Sequence, residues 1–162
     1  KRFFHSKDSV TTSIIENIQT HEPRYDIWKF SVQIFDEKRP YLFGIGTYQT
    51  QRLLNKKYEG MSREKDKRRQ WFIESNFNTH NQYIDLILSY GFLGFLVFII
   101  FLKQIISKVY KNIHSLNLIL AIIVFLFVEN IFHRQLGSFI FALSIVFAVH
   151  LININNEKNF SS

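Results

Sequence analysis

Three long stretches without a charged residue constrain the fold more than any other feature of this sequence. They span residues 86–102, 112–128 and 135–156 and contain 17, 17 and 22 residues. A transmembrane helix needs about 20 mostly apolar residues, with a range of about 17–25. Because GFLGFLVFIIFL and LILAIIVFLFV lack the polar stripe of a surface helix, we predict transmembrane helices at about residues 86–107, 114–133 and 136–153. The alternative is a buried helical bundle in a soluble protein.

Charged residues are concentrated before the first of these stretches. Residues 1–90 contain 15 of the 20 Lys and Arg and 11 of the 13 Asp and Glu, whereas residues 91–128 contain only three Lys. The net charge is +7, but acids balance most of the bases in the N-terminal half, which argues against a nucleic-acid partner. Cysteine is absent, so disulfides and thiolate metal sites are excluded.

The loops between the apolar stretches predict how the helices are oriented. Lys103, Lys108 and Lys111 lie between the first two stretches, and the positive-inside rule places such a loop in the cytoplasm. We therefore predict a multi-pass membrane protein in which residues 1–85 lie outside the cytoplasm, residues 86–154 hold three transmembrane helices, and residues 155–162 form a cytoplasmic tail. The chain opens KRFFHSKDS without a signal-peptide pattern, which favours a C-terminal piece of a longer protein.

The N-terminal segment is predicted to be helical, which makes the whole fold all-α. Pro23 is suited to the start of a helix, and apolar residues then recur at helical spacing. These residues are Ile27, Trp28, Val32, Ile34 and Phe35. Gly44 and Gly46 indicate a turn, residues 47–57 a second short helix, and SREKDKRRQW a solvated helix or loop. Surface roles are expected for Arg52, Arg68 and Arg69.

Polar residues stand at the start of the first apolar stretch, in THNQ. Thr79 and Gln82 match a capping box, so we predict that His80 is the first helical residue. A helix from residue 80 to 108 is about 43 Å long at 1.5 Å per residue. Since the hydrocarbon layer is about 30 Å thick, His80 should stand at the outer membrane surface. The positive end of the helix attracts phosphate and favours neutral imidazole, which is able to accept a proton. The alternative is a purely interfacial role for His80 and Asn81.

Four segments, in this order, resemble the C-terminal part of the O-antigen ligase and polymerase family. They are RYDIW (Arg24–Trp28), PYLFGIGTY (Pro40–Tyr48), THNQYIDLILSYGFLG (Thr79–Gly94) and ENIFHRQLG (Glu129–Gly137). The resemblance implies a multi-pass protein of the bacterial inner membrane with residues 1–85 in the periplasm. It also implies a glycosyltransferase that works without a metal or another cofactor. Gly91 and Gly94, within the third segment, are expected to allow close helix packing.

The resemblance further implies a substrate and three site residues. The donor would be a glycan on undecaprenyl diphosphate, and the acceptor would be the lipid A core for a ligase or another lipid-linked glycan for a polymerase. By position, His80 would be the catalytic base and Arg24 would bind the diphosphate. Arg134 is a further candidate for the diphosphate, with an ion pair to Glu129 as the alternative. Membrane lipids are expected as further partners, and nucleic acid is not. A membrane-anchored binding module without catalysis and part of a transporter are the rival functions.

Overall fold

The computed structural model describes residues 22–61 and 66–160. Residues 1–21 and 62–65 of the predicted periplasmic segment, and the last two residues of the predicted tail, lie outside this description. The described residues are helical and include no β-strand, which confirms the all-α prediction. The helices are α1 (Pro23–Lys38), α2 (Thr47–Glu59), α3 (Asp66–Ser75), α4 (Gln82–Val109), α5 (Ile113–Val128) and α6 (Gln135–Phe160), with a 3-10 turn at Ile131–His133.

Helices α1, α2 and α3 pack with the first turns of α4 around one apolar core. The fully buried members of this core are Ile27, Ile34, Leu54, Tyr58, Phe72 and Leu88. The helical spacing in α1 correctly predicted the burial of Ile27 and Ile34. The same prediction is wrong for Val32, whose side chain is 57% exposed. Val32 follows Ile27 by five residues, and at 100° per residue it lies about 140° around the helix from the buried face.

Two of the N-terminal helices begin where the sequence predicted. Pro23 occupies the first turn of α1, and the Glu22 side chain caps it by accepting a hydrogen bond from the Arg24 amide at 3.4 Å. Helix α2 follows Gly46, whose φ of +84° suits glycine. Arg68 differs from its predicted surface role, because its guanidinium lies 2.9 Å from the Asp26 carboxylate and joins α3 to α1 with both side chains largely buried.

Helices α4, α5 and α6 pack along one another through two further apolar clusters. By length and composition, α4 is able to cross a membrane. Helix α5 and the Gln135–Leu151 part of α6 are apolar but shorter. Large apolar side chains face outward from all three helices, for example Leu96, Val124 and Val146. The arrangement as three membrane spans stays a prediction.

Helix α4 is broken at Gly91, where the segment between α1 and α2 crosses it. Gly91 has φ +71° and ψ −174°, which are not helical. Residues 41–46 pair with the backbone on both sides of the break. The four bonds run from Ile45 N to Leu88 O (2.8 Å), Gly46 N to Ser89 O (3.0 Å), Phe92 N to Tyr41 O (2.7 Å) and Leu93 N to Leu42 O (3.3 Å). The crossing thus satisfies backbone groups that the break removes from the helix.

The predicted role in helix packing is wrong for Gly91 and stays a prediction for Gly94. A Cβ atom on Gly91 would lie 2.4 Å from the carbonyl oxygen of Leu42, so this glycine admits a crossing segment rather than a helix. Among the described residues, the side chain nearest to a Cβ on Gly94 is that of Tyr90 in the same helix. Gly44 lies on the other side of the crossing, where its Cβ would come within 2.0 Å of the Ser89 carbonyl carbon.

Candidate functional site

The start of α4 meets the connection between α5 and α6 through polar groups. Residues 79–85 and 129–133 supply these groups, and we call their contact the polar seam. Its buried polar side chains are those of Thr79, Asn81, Gln82, Asp85 and Asn130. Because a buried polar group without a partner is costly, the seam depends on hydrogen bonds between its two segments.

Two hydrogen bonds join the segments in the interior of the seam. The Asn130 Nδ2 atom donates to Thr79 Oγ1 at 3.1 Å, and the Phe132 amide donates to Gln82 Oε1 at 2.9 Å. These partners are about 50 residues apart in the chain. The THNQ and ENIFHRQLG segments, which are distant in the sequence, are therefore in direct contact in the fold.

The predicted cap of the first apolar helix is wrong by two residues. Asn81 is the N-cap, and its Oδ1 accepts hydrogen bonds from the Tyr83 and Ile84 amides, both at 3.0 Å. Thr79 instead donates to the Asn81 carbonyl at 3.1 Å and is fully buried in the seam. Asparagine is a strong N-cap residue, so it begins the helix once Thr79 is held by tertiary contacts.

His80 consequently lies outside the helix, in a tightly held turn. Its φ of +43° is unusual for a residue with a side chain, and such strain concentrates at functional sites. The His80 amide donates to Asn78 Oδ1 at 2.9 Å. The preceding Phe77 carbonyl accepts from the Tyr58 hydroxyl at 3.0 Å, and burial raises the pKa of Tyr58, so this donor keeps its proton.

His80 is paired with Glu129 across the seam. The distance between His80 Nδ1 and Glu129 Oε2 is 3.3 Å, and the two side chains are 19% and 23% exposed. The second oxygen of Glu129, Oε1, is buried without a hydrogen-bond partner among the described residues. The pair is therefore shielded from bulk water but not closed off from it.

This geometry is suited to proton transfer. When Glu129 is ionised, the imidazole proton resides on Nδ1, and Nε2 presents a lone pair that is able to accept a proton. A carboxylate in this position orients the ring and stabilises the imidazolium that forms, as in catalytic triads. The feature of His80 that suits it to accept a proton is therefore its carboxylate partner, and its predicted place in the first turn of a helix is wrong.

A second histidine–carboxylate pair lies further along the seam. His133 Nε2 is 3.2 Å from Asp85 Oδ1, and the Asp85 side chain is only 4% exposed. His133 belongs to the 3-10 turn after α5, outside the apolar helices. The hydrogen bond to Asp85 raises the pKa of His133, although partial burial opposes this change.

This shift predicts that stability depends on pH. A pKa raised by folding means that the pair stabilises the fold fully below the ordinary histidine value of 6.5, and that this stabilisation is lost as pH rises through the raised pKa. We expect the thermal midpoint of the detergent-solubilised protein to fall with rising pH in this window. His133→Gln should reduce the slope, and His114→Gln, a change outside the seam, should preserve it. An unchanged slope in His133→Gln would contradict the assignment.

Arg24 lies on α1 near the segment that carries His80. One turn further along α1, Trp28 Nε1 donates to the Thr79 carbonyl at 3.1 Å. The Arg24 guanidinium pairs with Glu22 at 3.1 Å, and its Nε is buried without a hydrogen-bond partner in the part of the chain that the structure describes. Part of its donor capacity is therefore unused.

Arg134 follows directly after His133 and is exposed. Its predicted ion-pair partner, Glu129, is bonded to His80 instead, because the chain turns at residues 131–133 and separates the two. Within the described residues, the structure gives the Arg134 side chain no hydrogen bond or ion pair. Arg134 therefore lies at the same end of the bundle as the seam, and no described residue neutralises its charge there.

Sequence reasoning missed Asp85, Asn130 and His133 of the seam, and it assigned Gln82 only to the helix cap. Gln82, Asp85 and Ser89 recur at spacings of three and four, which places them on one side of α4, and all three are buried. That polar stripe was a readable signal, because an ionisable residue near the membrane usually has a partner or a function.

No group of three His, Cys, Asp or Glu side chains within residues 22–61 and 66–160 is placed to hold a metal ion. Each of the two seam histidines has one carboxylate partner. Metal independence stays a prediction.

A comparison with the sequence models of known protein families gives a match. The sequence model of a family described as O-antigen ligase matches residues 3–99, which is more than half of the chain. The matched part includes Arg24, His80 and Asp85, and ends before Glu129 and His133. No curated protein and no solved structure matches the chain.

Proposed function

Since the chain belongs to the O-antigen ligase family, whose members are membrane enzymes that act on lipid-linked glycans, we propose a specific reaction for it. It transfers a glycan from undecaprenyl diphosphate to a hydroxyl group of an acceptor at the periplasmic face of the bacterial inner membrane. The observation that carries this proposal is the 3.3 Å contact between His80 Nδ1 and Glu129 Oε2. A carboxylate-oriented imidazole is the group that a hydroxyl nucleophile requires.

In this mechanism His80 Nε2 takes the proton of the acceptor hydroxyl. The acceptor oxygen forms a bond to the anomeric carbon of the donor sugar while the bond from that carbon to the diphosphate oxygen breaks. The electron pair leaves with undecaprenyl diphosphate, and Glu129 stabilises the imidazolium that His80 becomes. No metal is required by this scheme, since arginine supplies the positive charge.

Arg24 and Arg134 are proposed to bind the diphosphate. A guanidinium stays charged and is able to contact two phosphate oxygens at once. Negative charge grows on the diphosphate as its bond to sugar breaks, so a fixed cation stabilises the transition state more than the ground state. The 39% exposure of the Arg24 side chain and the exposed position of Arg134 support these roles.

The proposed membrane position follows from the distribution of apolar surface. Three spans are assigned to α4 beyond Gly91, to α5 and to the apolar part of α6. The connection after α4, which carries Lys111, then lies in the cytoplasm, and the long side chains of Lys103 and Lys108 extend toward it from the last two turns of α4. From Phe92 to Val109, α4 is about 27 Å long at 1.5 Å per residue, close to the hydrocarbon thickness of about 30 Å. The seam then lies at the periplasmic surface, where lipid-linked diphosphates present their head groups.

Arg24→Ala provides a test of the diphosphate assignment. We expect it to lower glycan transfer by about 10²–10³-fold, the usual effect of removing one donor to developing charge, whereas Arg24→Lys retains part of the activity. Transfer is measured in membranes with the native lipid-linked glycan as donor. Arg52→Ala, an exposed arginine on α2, is the matched control and should be unaffected. Equal activity in both alanine variants would exclude Arg24 from the site.

The acceptor distinguishes a ligase from a polymerase of the same family. Surface polysaccharide from the host carrying an inactive variant is separated on a gel. A ligase loses all long chains on lipid A while lipid-linked glycan accumulates, whereas a polymerase leaves lipid A with a single repeat unit. An unchanged banding pattern in every seam variant would favour the rival function, a membrane-anchored module that binds without catalysis.

A further inference from the structure

A cavity lies beside the seam, on the side of the Asp85–His133 pair. Its volume is about 380 Å³, within the range of about 300–1,000 Å³ typical of small-molecule sites. Its polar and aromatic lining consists of Thr47, Gln82, Asp85, Tyr90, Phe132 and His133. His80 and Glu129 are not part of this lining, so the cavity is separate from the proposed base.

The cavity offers both donors and acceptors of hydrogen bonds. Gln82 lies in the wall of the cavity and is fully buried, so its Nε2, which has no partner among the described residues, reaches a ligand only after a small shift of the side chain. Asp85 contributes a carboxylate, of which one oxygen contacts His133. The hydroxyl groups of Thr47 and Tyr90 lie 3.4 Å apart and are able to donate or accept.

This lining selects against two parts of a lipid-linked substrate. The Asp85 carboxylate disfavours a phosphate group, and the His133 imidazole beside it is engaged by that carboxylate rather than free to bind an anion. A prenyl chain would leave the Gln82 amide and the carboxylate without partners, which costs free energy for each group. The lining therefore favours an uncharged ligand that both donates and accepts hydrogen bonds.

A sugar ring meets these requirements. Its hydroxyl groups donate to a carboxylate and accept from an amide, and its C–H faces are apolar enough to contact an aromatic ring such as Phe132. We propose that this cavity binds one sugar unit of the glycan. The proposal rests on the proposed function, since it assigns a place to part of the substrate of that reaction.

The location of the cavity makes this binding useful for transfer. Gln82 both lines the cavity and bonds to Phe132 in the seam that carries His80 and Glu129. A sugar held there is positioned relative to the base by a rigid, buried contact, which is how binding energy away from the reacting atoms accelerates a reaction. The unit belongs either to the donor glycan or to the acceptor glycan.

Removing hydroxyl groups from the rim tests the proposal without altering the seam. In Tyr90→Phe and Thr47→Val, each change deletes one hydroxyl and conserves shape. We expect either substitution to raise KM about 3–10-fold, the effect of one hydrogen bond, with kcat nearly unchanged. The full protein is assayed in proteoliposomes with its native lipid-linked glycan and acceptor. Tyr110→Phe is the control, because Tyr110 is similarly exposed (57% against 53% for Tyr90) but lies at the far end of α4.

Varying the concentrations of donor and acceptor separately shows which of the two substrates supplies the sugar unit in the cavity. A higher KM in the donor series places a donor unit in the cavity, and a higher KM in the acceptor series places an acceptor unit there. Thr47→Trp, which fills the cavity, should raise the same KM further. Unchanged KM values in both series for all three variants overturn the cavity assignment.

His80→Ala separates this outcome from failure of the proposed function. If His80→Ala abolishes transfer while the rim variants behave as wild type, only the sugar site is wrong. If His80→Ala transfers glycan normally, the proposed function itself is wrong.

Discussion

His80→Ala is expected to lower glycan transfer by about 10²–10⁴-fold, the usual contribution of a general base. The substitution removes the imidazole that takes the proton of the acceptor hydroxyl. In the described structure no other side chain is bonded to Glu129 and able to replace it. Transfer is measured with the native lipid-linked donor, alongside surface polysaccharide on a gel. His114→Ala is the matched control, since His114 is an exposed histidine at the first turn of α5, and it should leave transfer unchanged.

Glu129→Gln tests whether the carboxylate acts through the histidine. Alone it should reduce transfer less than His80→Ala, because the ring stays in place without its charged partner. Combined with His80→Ala it should cause little further loss, since residues that act as a unit are not additive. Independent, multiplying losses would show that Glu129 has a separate role, and wild-type polysaccharide in His80→Ala would refute the mechanism.

Gly91→Ala is expected to destabilise the protein by about 2–5 kcal/mol, since it combines backbone strain with overpacking. The position has φ +71°, and a Cβ would lie 2.4 Å from the Leu42 carbonyl oxygen. Gly44→Ala should have a similar effect from the other side of the crossing, where the nearest atom is backbone at 2.0 Å. Backbone atoms on both sides leave no flexible side chain to move aside.

Thermal unfolding in detergent measures this effect. Gly60→Ala is the control, because Gly60 has an ordinary φ of −79° and its nearest neighbours are 3.5 Å away. It should unfold near the wild-type temperature, whereas Gly91→Ala should unfold well below it or fail to accumulate. Equal midpoints for Gly91→Ala and Gly60→Ala would mean that the segment does not cross α4 at this point.

Local patterns predicted most of the helices. Pro23, Gly46 and helical spacing located α1 and α2, because helix starts depend on residues within one or two turns. The uncharged stretches likewise indicated α4, α5 and α6. Local rules failed at THNQ, where both Thr79 and Asn81 are good caps and the choice between them is made by the contact of Thr79 with Asn130.

In the candidate site, too, some features follow from local sequence patterns and others from tertiary contacts. The sequence by itself determined that one polar segment, which carries His80, precedes the apolar helices and that a second polar segment separates the last two of them. Only the tertiary structure decided that Glu129 pairs with His80, that Asp85 pairs with His133, and that Gly91 admits a crossing backbone. The His80–Glu129 and Asp85–His133 pairs join residues 49 and 48 positions apart. Hydropathy and capping patterns describe single helices, whereas partners so distant are chosen by how the helices pack.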